Sequence, residues 1–280
     1  MTFPTGKPLA GRDGNGRFHS LIIATEFGCG MNGPLENITE LTMCGRRGLA
    51  RHVNDAFQSA LAERSDLDPA VLDIEGMSGT KYRHFINNLI RALKGERYLE
   101  VGSWAGSTLC SAINGNSVRA TAIDNWSQFG GPKHRFLENL ERFKTENALV
   151  DFIEDDFRRV DYGSLGKFAV YLFDGPHEYE DQYDGLSLAL PALKEQFIFI
   201  VDDWNWPQVR RGTLQAISDV GVEMDYALEI RTTLDESHPE IAGEKSDWHN
   251  GYLISVLSKP RNTLFGWLGE LMGPGRRRGK

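Results

Sequence analysis

The pattern of hydrophobic positions divides the chain into an N-terminal lead, residues 1–75, and a core that begins at residue 76. Before residue 76, apolar periodicity is confined to 49–61, within a stretch rich in glycine, asparagine and scattered charge. We therefore expect residues 1–75 to form a cap of loops and one or two helices that covers another part of the protein. After a glycine-rich boundary at 76–79, apolar residues recur at helical spacing and predict a helix over 80–94.

Beyond that helix, short apolar runs alternate with helical patterns. The predicted strands are 98–101, 118–123, 150–153, 168–173, 197–201, 223–230 and 251–257. The predicted helices between them are 107–113, 132–143, 179–193 and one that begins near Pro207. Because most of these strands are apolar throughout, they indicate a mostly parallel sheet with helices on both faces. The expected fold class is α/β, with a Rossmann-like sheet and an N-terminal helical and loop extension.

Composition and charge narrow the class of protein. The chain has 280 residues, of which 40% are hydrophobic and 25% charged, so it is able to bury a large core. Its formal net charge of −8 supplies no positive field for phosphate backbones or acidic membranes. The longest apolar runs are far shorter than the ~20 residues of a membrane helix. We expect a soluble, cytoplasmic protein with no nucleic-acid partner and no membrane partner.

The cysteines and the basic run near the C-terminus do not indicate a functional site. Cys29, Cys44 and Cys110 show no metal-binding spacing and cannot all pair internally, which favours free thiols in a reducing compartment. The dense basic run at 276–280 is typical of a solvated tail. We expect three segments: the cap 1–75, a core domain 76–260 and a basic C-terminal tail 261–280.

Acidic residues stand at or just after five predicted strands. They are Glu100, Asp124, the pair Asp155 and Asp156, Asp174, and the pair Asp202 and Asp203. Open α/β sheets bind ligands at the carboxyl ends of their strands. Turn and capping preferences explain any one of these acids, but they explain all five poorly. This edge of the sheet is therefore predicted to be the ligand site.

A glycine-rich turn follows the first strand of the core. Gly102 permits a tight turn, and Gly106 permits the close approach of a ligand or of neighbouring backbone. The spacing is not the GxGxxG of dinucleotide loops, and Glu100 would repel a pyrophosphate there. An acid in this turn instead suits a ligand with a cationic end.

Two further acids suit a nucleoside. Asp124 follows Gly102 by 22 residues, where an acid accepts hydrogen bonds from ribose hydroxyls. Asp156 can accept from an exocyclic adenine amine while the adenine ring packs on Phe157. A turn acid beside a core aromatic explains this second pair equally well.

The run from Glu100 to Asp203 resembles the class I S-adenosylmethionine-dependent methyltransferases. Within that class it is similar to metal-dependent small-molecule O-methyltransferases, notably the macrocin-type sugar O-methyltransferases, over about residues 76–258. The resemblance implies S-adenosylmethionine as cofactor, a seven-stranded sheet with one antiparallel strand near the C-terminus, and a methyltransferase domain over 76–260. It implies that the cofactor is contacted by Glu100, Gly102, Ser103 and Gly106 on its methionine side, by Asp124 at the ribose, and by Asp156 and Phe157 at the adenine.

The more specific pattern is Asp174-Gly175-Pro176-His177 together with Asp202-Asp203. The two acidic strand ends are 28 residues apart, which places them on adjacent parallel strands. Three carboxylates there repel one another unless a cation joins them, and their hard oxygens suit Mg²⁺ or another hard divalent ion. In the resembled family such a triad holds a metal against the acceptor's oxygens, which implies catalytic roles for Asp174 and His177.

His177 stands where related catechol-type and caffeoyl-type enzymes carry a lysine base. An imidazole can take a proton from a metal-activated hydroxyl. Capping of the following helix, or donation to a ligand carboxylate, explains His177 equally well. The absence of the lysine disfavours a phenolic acceptor.

Aromatic residues near the acid pair suggest a wall for the acceptor. Trp204 and Trp206 have flat apolar faces that suit a sugar or another polyol ring, and Trp126 and Tyr179 are candidates to complete the wall. Packing in the core or in a lid explains each of them equally well. Residues 247–249 are a further candidate for reaching an acceptor.

Together these residues favour a Mg²⁺-dependent O-methyltransferase that acts on a hydroxyl of a sugar, a glycan or a small glycosylated metabolite. A nicotinamide-dependent oxidoreductase is disfavoured by the missing GxGxxG and by Glu100. A non-catalytic binding module that keeps the fold is disfavoured by the intact set of acids. The resemblance is compatible with a homo-oligomer.

Overall fold

A computed structural model describes residues 23–24, 37–42 and 48–260. Its strands are β1 (Ile23–Ala24), β2 (Asn37–Thr42), β3 (Arg97–Val101), β4 (Val118–Ile123), β5 (Ala148–Ile153), β6 (Phe168–Phe173), β7 (Leu193–Val201), β8 (Glu223–Arg231) and β9 (Tyr252–Ser258). Its helices are α1 (Leu49–Leu61), α2 (Pro69–Leu72), α3 (Thr80–Ala92), α4 (Ser107–Ile113), α5 (Lys133–Phe143), α6 (Tyr179–Ala189) and α7 (Pro207–Asp219). Cys29, Cys44 and the basic tail 261–280 lie outside the described residues.

The strands form one sheet in the order β1-β2-β8-β9-β7-β6-β3-β4-β5. Neighbours from β5 to β7 are parallel, and β9 runs antiparallel between β7 and β8. The expected α/β fold is confirmed, and β3–β9 form the seven-stranded part with its one antiparallel strand. Chain order reverses between β3 and β6, and open α/β sheets bind ligands outside such a switch point.

Two strands of the N-terminal lead were not predicted. β2 pairs antiparallel with β8, with Ile38 opposite Ile230, and β1 pairs with β2. The apolar residues of β2, Ile38 and Leu41, are three positions apart rather than two, so the local sequence lacks strand periodicity. The strand exists because the edge of β8 offers backbone partners, which a local pattern cannot show.

Helices cover both faces of the sheet. One buried cluster joins α1, α3 and α4 to the sheet, and a second joins α6 and α7 to its other face. Between them, β6 is buried along its whole length. The helix predicted over 179–193 is shorter than expected, because a 3-10 turn at Leu190–Ala192 carries a proline and β7 begins at Leu193.

None of the helices in the described ranges is both long and apolar enough to cross a membrane.

Candidate functional site

A cavity of about 570 Å³ opens at the carboxyl ends of β3, β4, β6 and β7. Its size is within the range of pockets that hold drug-sized ligands. The predicted site residues that line it are Gly102, Asp124, Asp156, Phe157, Asp174, His177, Asp202, Asp203 and Trp206. Predicted residues that do not line it are Glu100, Ser103, Gly106, Tyr179 and Trp204. The acids at the ends of β4, β5, β6 and β7 therefore converge on one pocket, whereas Glu100 of β3 does not.

Gly102 brings the turn after β3 against the loop after β6. Its φ is +85°, and a Cβ at this position would lie 1.8 Å from the carbonyl oxygen of Asp174. Asp174 N donates in turn to Val101 O at 2.9 Å. Only glycine combines this backbone conformation with this close approach.

Asp124 fixes the same turn from the next strand. Its Oδ2 accepts from the backbone N–H groups of Ser103 and Trp104, each at 2.8 Å, and its Oδ1 accepts from Trp126 N at 2.6 Å. Trp104 and Trp126 both have positive φ, at 45° and 48°. Such strained conformations persist where the surroundings enforce them, and they are common at ligand sites. A carboxylate oxygen keeps a second lone pair, so Asp124 can still accept from a ligand hydroxyl at the cavity wall.

Glu100 lies behind the turn rather than at the cavity surface, which corrects its predicted contact with a ligand. Tyr98 Oη donates to its Oε2 at 2.6 Å, and Ser103 Oγ donates to its Oε1 at 2.8 Å. Burial raises the pKa of Glu100 to about 7, although the two hydrogen bonds oppose the shift. Its role in the structure is to hold Ser103, which is itself buried.

Gly106, the third predicted residue of the turn, also faces away from the cavity. A Cβ there would lie 3.1 Å from Phe136 Cδ2. Gly106 is the N-cap of α4 and has a φ of +85°. Its lack of a side chain lets α4 pack beside Phe136 of α5 and does not make room for a ligand.

The adenine side predicted from Asp156 and Phe157 lines the cavity, although both residues also have structural partners. Asp156 Oδ1 accepts from Arg158 N at 2.9 Å and caps a short 3-10 turn. Phe157 packs edge-on against Phe173 with ring centroids 5.2 Å apart. Arg158, which sequence reasoning missed, lies over the Phe157 ring at 4.6 Å and pairs with Asp181. Asp156 and Phe157 thus have structural roles at this wall of the cavity, and their contact with a ligand stays a prediction.

Three aspartates meet at the ends of β6 and β7. Asp202 Oδ1 accepts from Asp203 N at 2.7 Å, and its Oδ2 accepts from Tyr252 Oη at 3.4 Å. Burial, followed by the charges of the neighbouring aspartates, raises the pKa of both Asp174 and Asp202. The charged forms of Asp174 and Asp202 are thus disfavoured, and a bound cation would relieve the repulsion.

His177 pairs with Asp203. The His177 Nε2 to Asp203 Oδ2 distance is 2.8 Å, and potential ligand atoms of Asp174, His177 and Asp203 lie within 4.8 Å of one another. Burial alone would lower the pKa of His177, but the hydrogen bond and the charge of Asp203 raise it overall. Burial likewise opposes the change at Asp203, whose pKa is lowered by its bonds to His177 and Asn250. Because Nε2 donates to a carboxylate, Nδ1 of a neutral His177 keeps its lone pair.

The capping interpretation of His177 is wrong, because Glu178 occupies that position. Glu178 is the N-cap of α6 and forms a reciprocal capping box with Asp181. His177 is therefore left to the pocket and to Asp203.

The predicted aromatic wall is reduced to one tryptophan. Trp206 meets the His177 ring with centroids 4.9 Å apart and the His238 ring at 5.2 Å. Trp204 is 0% exposed, because the positive φ of Asp203 turns the chain so that Trp204 enters the core. Tyr179 begins α6 where that helix packs on α7 at Gly212.

Trp126 is likewise absent from the cavity lining. Its Nε1 donates to Trp104 O at 2.8 Å, and its ring packs against Phe136. It supports the turn around Asp124 instead of an acceptor.

The connection between β8 and β9 supplies wall residues of its own. His238, His249 and Asn250 line the cavity, and Asn250 Nδ2 donates to Asp203 Oδ1 at 2.6 Å. Of the candidate segment 247–249, only His249 reaches the pocket: Trp248 is fully buried and Asp247 pairs with Lys81. A polar residue at the start of the last strand was the available signal for Asn250, but a strand start alone does not identify a site.

The side chains that line the cavity suit both predicted ligands, a divalent cation and a nucleoside. Asp174, Asp203 and His177 have potential ligand atoms within 4.8 Å of one another, whereas Asp202 lies outside that group although it lines the same cavity. Carboxylate oxygens beside an imidazole suit a divalent cation. Asp124 at the end of β4, together with Asp156 and Phe157 after β5, offers surroundings for a nucleoside.

Comparison with known proteins finds one family model and several solved structures that resemble parts of this chain. A family model described as "Methyltransferase domain" matches residues 99–204. TrmN from Thermus thermophilus is 15% identical with a TM-score of 0.45; the match covers 73% of this chain and spans only 52% of that protein. An O-methyltransferase from Bacillus cereus in complex with SAH is 14% identical, with coverages of 74% and 91% and a TM-score of 0.43. No curated protein sequence matches the chain.

A candidate RNA methyltransferase from Pyrococcus horikoshii is also similar, at 14% identity and a TM-score of 0.44, with coverages of 79% and 100%. At these values the likeness does not extend to a substrate, and the expected absence of a nucleic-acid partner stays a prediction. Residues 99–204 contain the glycine turn, the anchored Asp124 and the whole acidic cluster. The segment that builds these parts of the pocket is thus the segment that matches a methyltransferase domain.

Proposed function

We propose that the protein is an S-adenosylmethionine-dependent, Mg²⁺-dependent O-methyltransferase that acts on a hydroxyl of a sugar, a glycan or a small glycosylated metabolite. One observation carries the proposal: the Asp174, Asp202 and Asp203 cluster, with His177 paired to it, shares one cavity with the Gly102 turn and Asp124. The proposed cofactor site and the proposed cation site would thereby be adjacent, so that the sulfonium methyl group would face an acceptor hydroxyl held beside the cation.

The cofactor would be held by the residues that line the switch-point side of the cavity. Asp124 accepts from the ribose hydroxyls, and Asp156 with Phe157 contacts the adenine. Gly102 leaves space for the methionine portion because it carries no side chain, while Glu100 and Ser103 hold the turn from behind. These contacts orient the methyl group, and orientation is a major source of rate in such a reaction.

The cation would be held by Asp174, Asp202 and Asp203. When bound, a hard divalent cation supplies positive charge that favours the deprotonated form of an acceptor hydroxyl. The same charge would favour the deprotonated forms of Asp174 and Asp202, whose pKa values burial raises. Asn250 and His177 keep Asp203 oriented through one hydrogen bond to each of its oxygens.

His177 would take the proton of the acceptor hydroxyl at Nδ1. Its Nε2 hydrogen is committed to Asp203, which fixes the ring orientation and stabilises the imidazolium that forms. Trp206 packs against His177 and offers an apolar face for the acceptor ring. Residues 76–260 would be the methyltransferase domain, with 1–75 as a cap that also extends the sheet through β2.

The proposal is tested by calorimetry and by product analysis. S-adenosylhomocysteine is expected to bind and NAD is not, which separates methyl transfer from a nicotinamide-dependent reaction. A panel of methyl glycosides is then incubated with S-adenosylmethionine and Mg²⁺ or with chelator. Methylated product that depends on Mg²⁺ supports the proposal. Preferential binding of NAD would support the oxidoreductase. Binding of S-adenosylhomocysteine together with full activity in chelator would exclude a role for the metal.

A further inference from the structure

The connection between β8 and β9 presents His249 to the cavity, and a hydrogen bond to its ring fixes the position of its proton. His249 Nδ1 accepts a hydrogen bond from the backbone N–H of Gly243 at 2.8 Å. A neutral imidazole whose Nδ1 is an acceptor carries its hydrogen on Nε2. Burial lowers the pKa of His249 despite the charge of Asp203, so the ring is neutral near pH 7.

Hydrogen bonds fix the backbone of His249 as well as its ring. Its N–H donates to Ser246 Oγ at 2.9 Å, and its carbonyl accepts from Thr232 Oγ1 at 2.7 Å. Its φ of 45° lies in the left-handed region, where residues other than glycine are strained. Strain that is maintained by three surrounding hydrogen bonds is typical of a functional position.

His249 Nε2 faces a group that cannot accept its hydrogen. Its neighbour is Asn250 Nδ2 at 3.3 Å, and that amide nitrogen is a donor that already bonds to Asp203 Oδ1. Asn250 Oδ1 is buried and has no donor within the described part of the chain. The two side chains thus leave one donor and one acceptor unused beside Asp203. A hydroxyl group can satisfy both.

We propose, resting on the proposed function, that His249 is a specificity-determining residue whose Nε2–H donates to a second hydroxyl of the methyl acceptor. This hydroxyl is distinct from the one that is methylated, and it donates in turn to Asn250 Oδ1. The acceptor is therefore a polyol that presents one hydroxyl to the side of Asp203 paired with His177 and another to the side paired with Asn250. Sites built to bond a hydroxyl reject analogues that lack it, because their own polar groups are then left unpaired.

Two substitutions separate this role from a purely structural one. H249N keeps an acceptor near the position of Nδ1 for Gly243 N–H but loses the distal donor. H249Q keeps a donor near the position of Nε2 but loses the acceptor for Gly243. Each variant is assayed with methyl hexopyranosides and with their mono-deoxy counterparts, under Mg²⁺ and saturating S-adenosylmethionine.

H249N is expected to lower kcat/KM on the preferred glycoside about 10- to 100-fold, the effect of losing one buried hydrogen bond. It should leave the rate on one mono-deoxy counterpart unchanged, whereas H249Q should stay within about threefold of wild type on the glycoside. Both variants should bind S-adenosylhomocysteine as wild type does. The inference is overturned if H249Q is the impaired variant, or if H249N slows all substrates equally.

The tautomer gives a test that needs no acceptor. ¹⁵N NMR of the ligand-free protein should show His249 protonated at Nε2 and not at Nδ1, and the reverse tautomer would overturn the inference. If S-adenosylhomocysteine binds but no glycoside is methylated, the proposed acceptor class is wrong. The NMR result then decides the state of His249 by itself.

Discussion

Asp203 holds His177 through one carboxylate oxygen and Asn250 through the other, with an Nε2 to Oδ2 distance of 2.8 Å on the histidine side. The pairing leaves Nδ1 as the only ring nitrogen of His177 able to take a proton. H177A should therefore lower kcat about 10²- to 10⁴-fold, as expected for a general base, with S-adenosylhomocysteine affinity unchanged. Steady-state methylation assays and calorimetry measure the two quantities.

H134A is the control for that change, because His134 lies on an exposed part of α5. It should retain wild-type kcat. Equal loss in both variants, or no loss in H177A, would contradict a catalytic role for His177.

D202A should abolish Mg²⁺-stimulated turnover and leave S-adenosylhomocysteine binding largely intact. Asp202 follows β7 and accepts from Tyr252 Oη, two strands across the sheet from the turn after β3 that would hold the cofactor. Activity is measured over a Mg²⁺ titration, with D151A as a matched acid on the exposed edge of the sheet. Full activity of D202A in chelator would exclude a metal held by this cluster.

G102A should lose both stability and cofactor binding. Its Cβ would collide with the carbonyl of Asp174, whereas G95A places a Cβ at a similar φ of +89° with nothing within 4 Å. The left-handed conformation alone costs about 1–2 kcal/mol in both variants. The collision adds about 1–3 kcal/mol in G102A only. Urea unfolding of both variants measures the difference, and equal losses would show that the close approach is unimportant.

E100Q should change how stability depends on pH. The pKa of Glu100 rises on folding from 4.5 to about 7, so the native state binds the proton more tightly than the unfolded state. The free energy of unfolding of the wild type therefore falls as pH rises through this window, and glutamine removes that fall. Relative to wild type, E100Q should gain about 3 kcal/mol between pH 4.5 and 8. Parallel stability curves from metal-free urea titrations would contradict this.

Two neighbouring tryptophans should respond in opposite ways. W206A removes a cavity wall and should raise the KM for the acceptor while leaving the melting temperature nearly unchanged. W204A empties a core position and should cost about 3–5 kcal/mol of stability. Acceptor kinetics and calorimetric unfolding of both variants test the assignment, and an unchanged acceptor KM in W206A would contradict it.

The sequence was sufficient to predict the sheet edge because strand ends are local features. Asp124, Asp174 and Asp202 each follow an apolar run, and parallel strands bring such ends together. The turn at Gly102 could be predicted for the same reason, but its close contact with the carbonyl of Asp174 could not. Trp204 and Trp206 could not be told apart, since the positive φ of Asp203 decides which one enters the core.

The features that the sequence missed, Asn250 and β2, depend on long-range placement, and so does the fact that His249 alone of the candidate segment 247–249 reaches the pocket. His249 and Asn250 reach the pocket by way of a long connection after β8, whose path follows from contacts such as Gly243 N–H to His249 Nδ1 rather than from periodicity. β2 forms only because β8 offers an edge. Tyr179 was assigned to the acceptor by proximity in sequence, but the packing of α6 on α7 decides its position.

The contact between Gly102 and the Asp174 backbone has a consequence for engineering. The turn beside Asp124 and the loop that carries the first aspartate of the acidic cluster are fitted to each other at the main chain, without an adaptable side chain between them. A chimera that imports one of these loops from another protein should bring the other along as well. Recombination breakpoints are better placed before β3 and after β7 than anywhere between them.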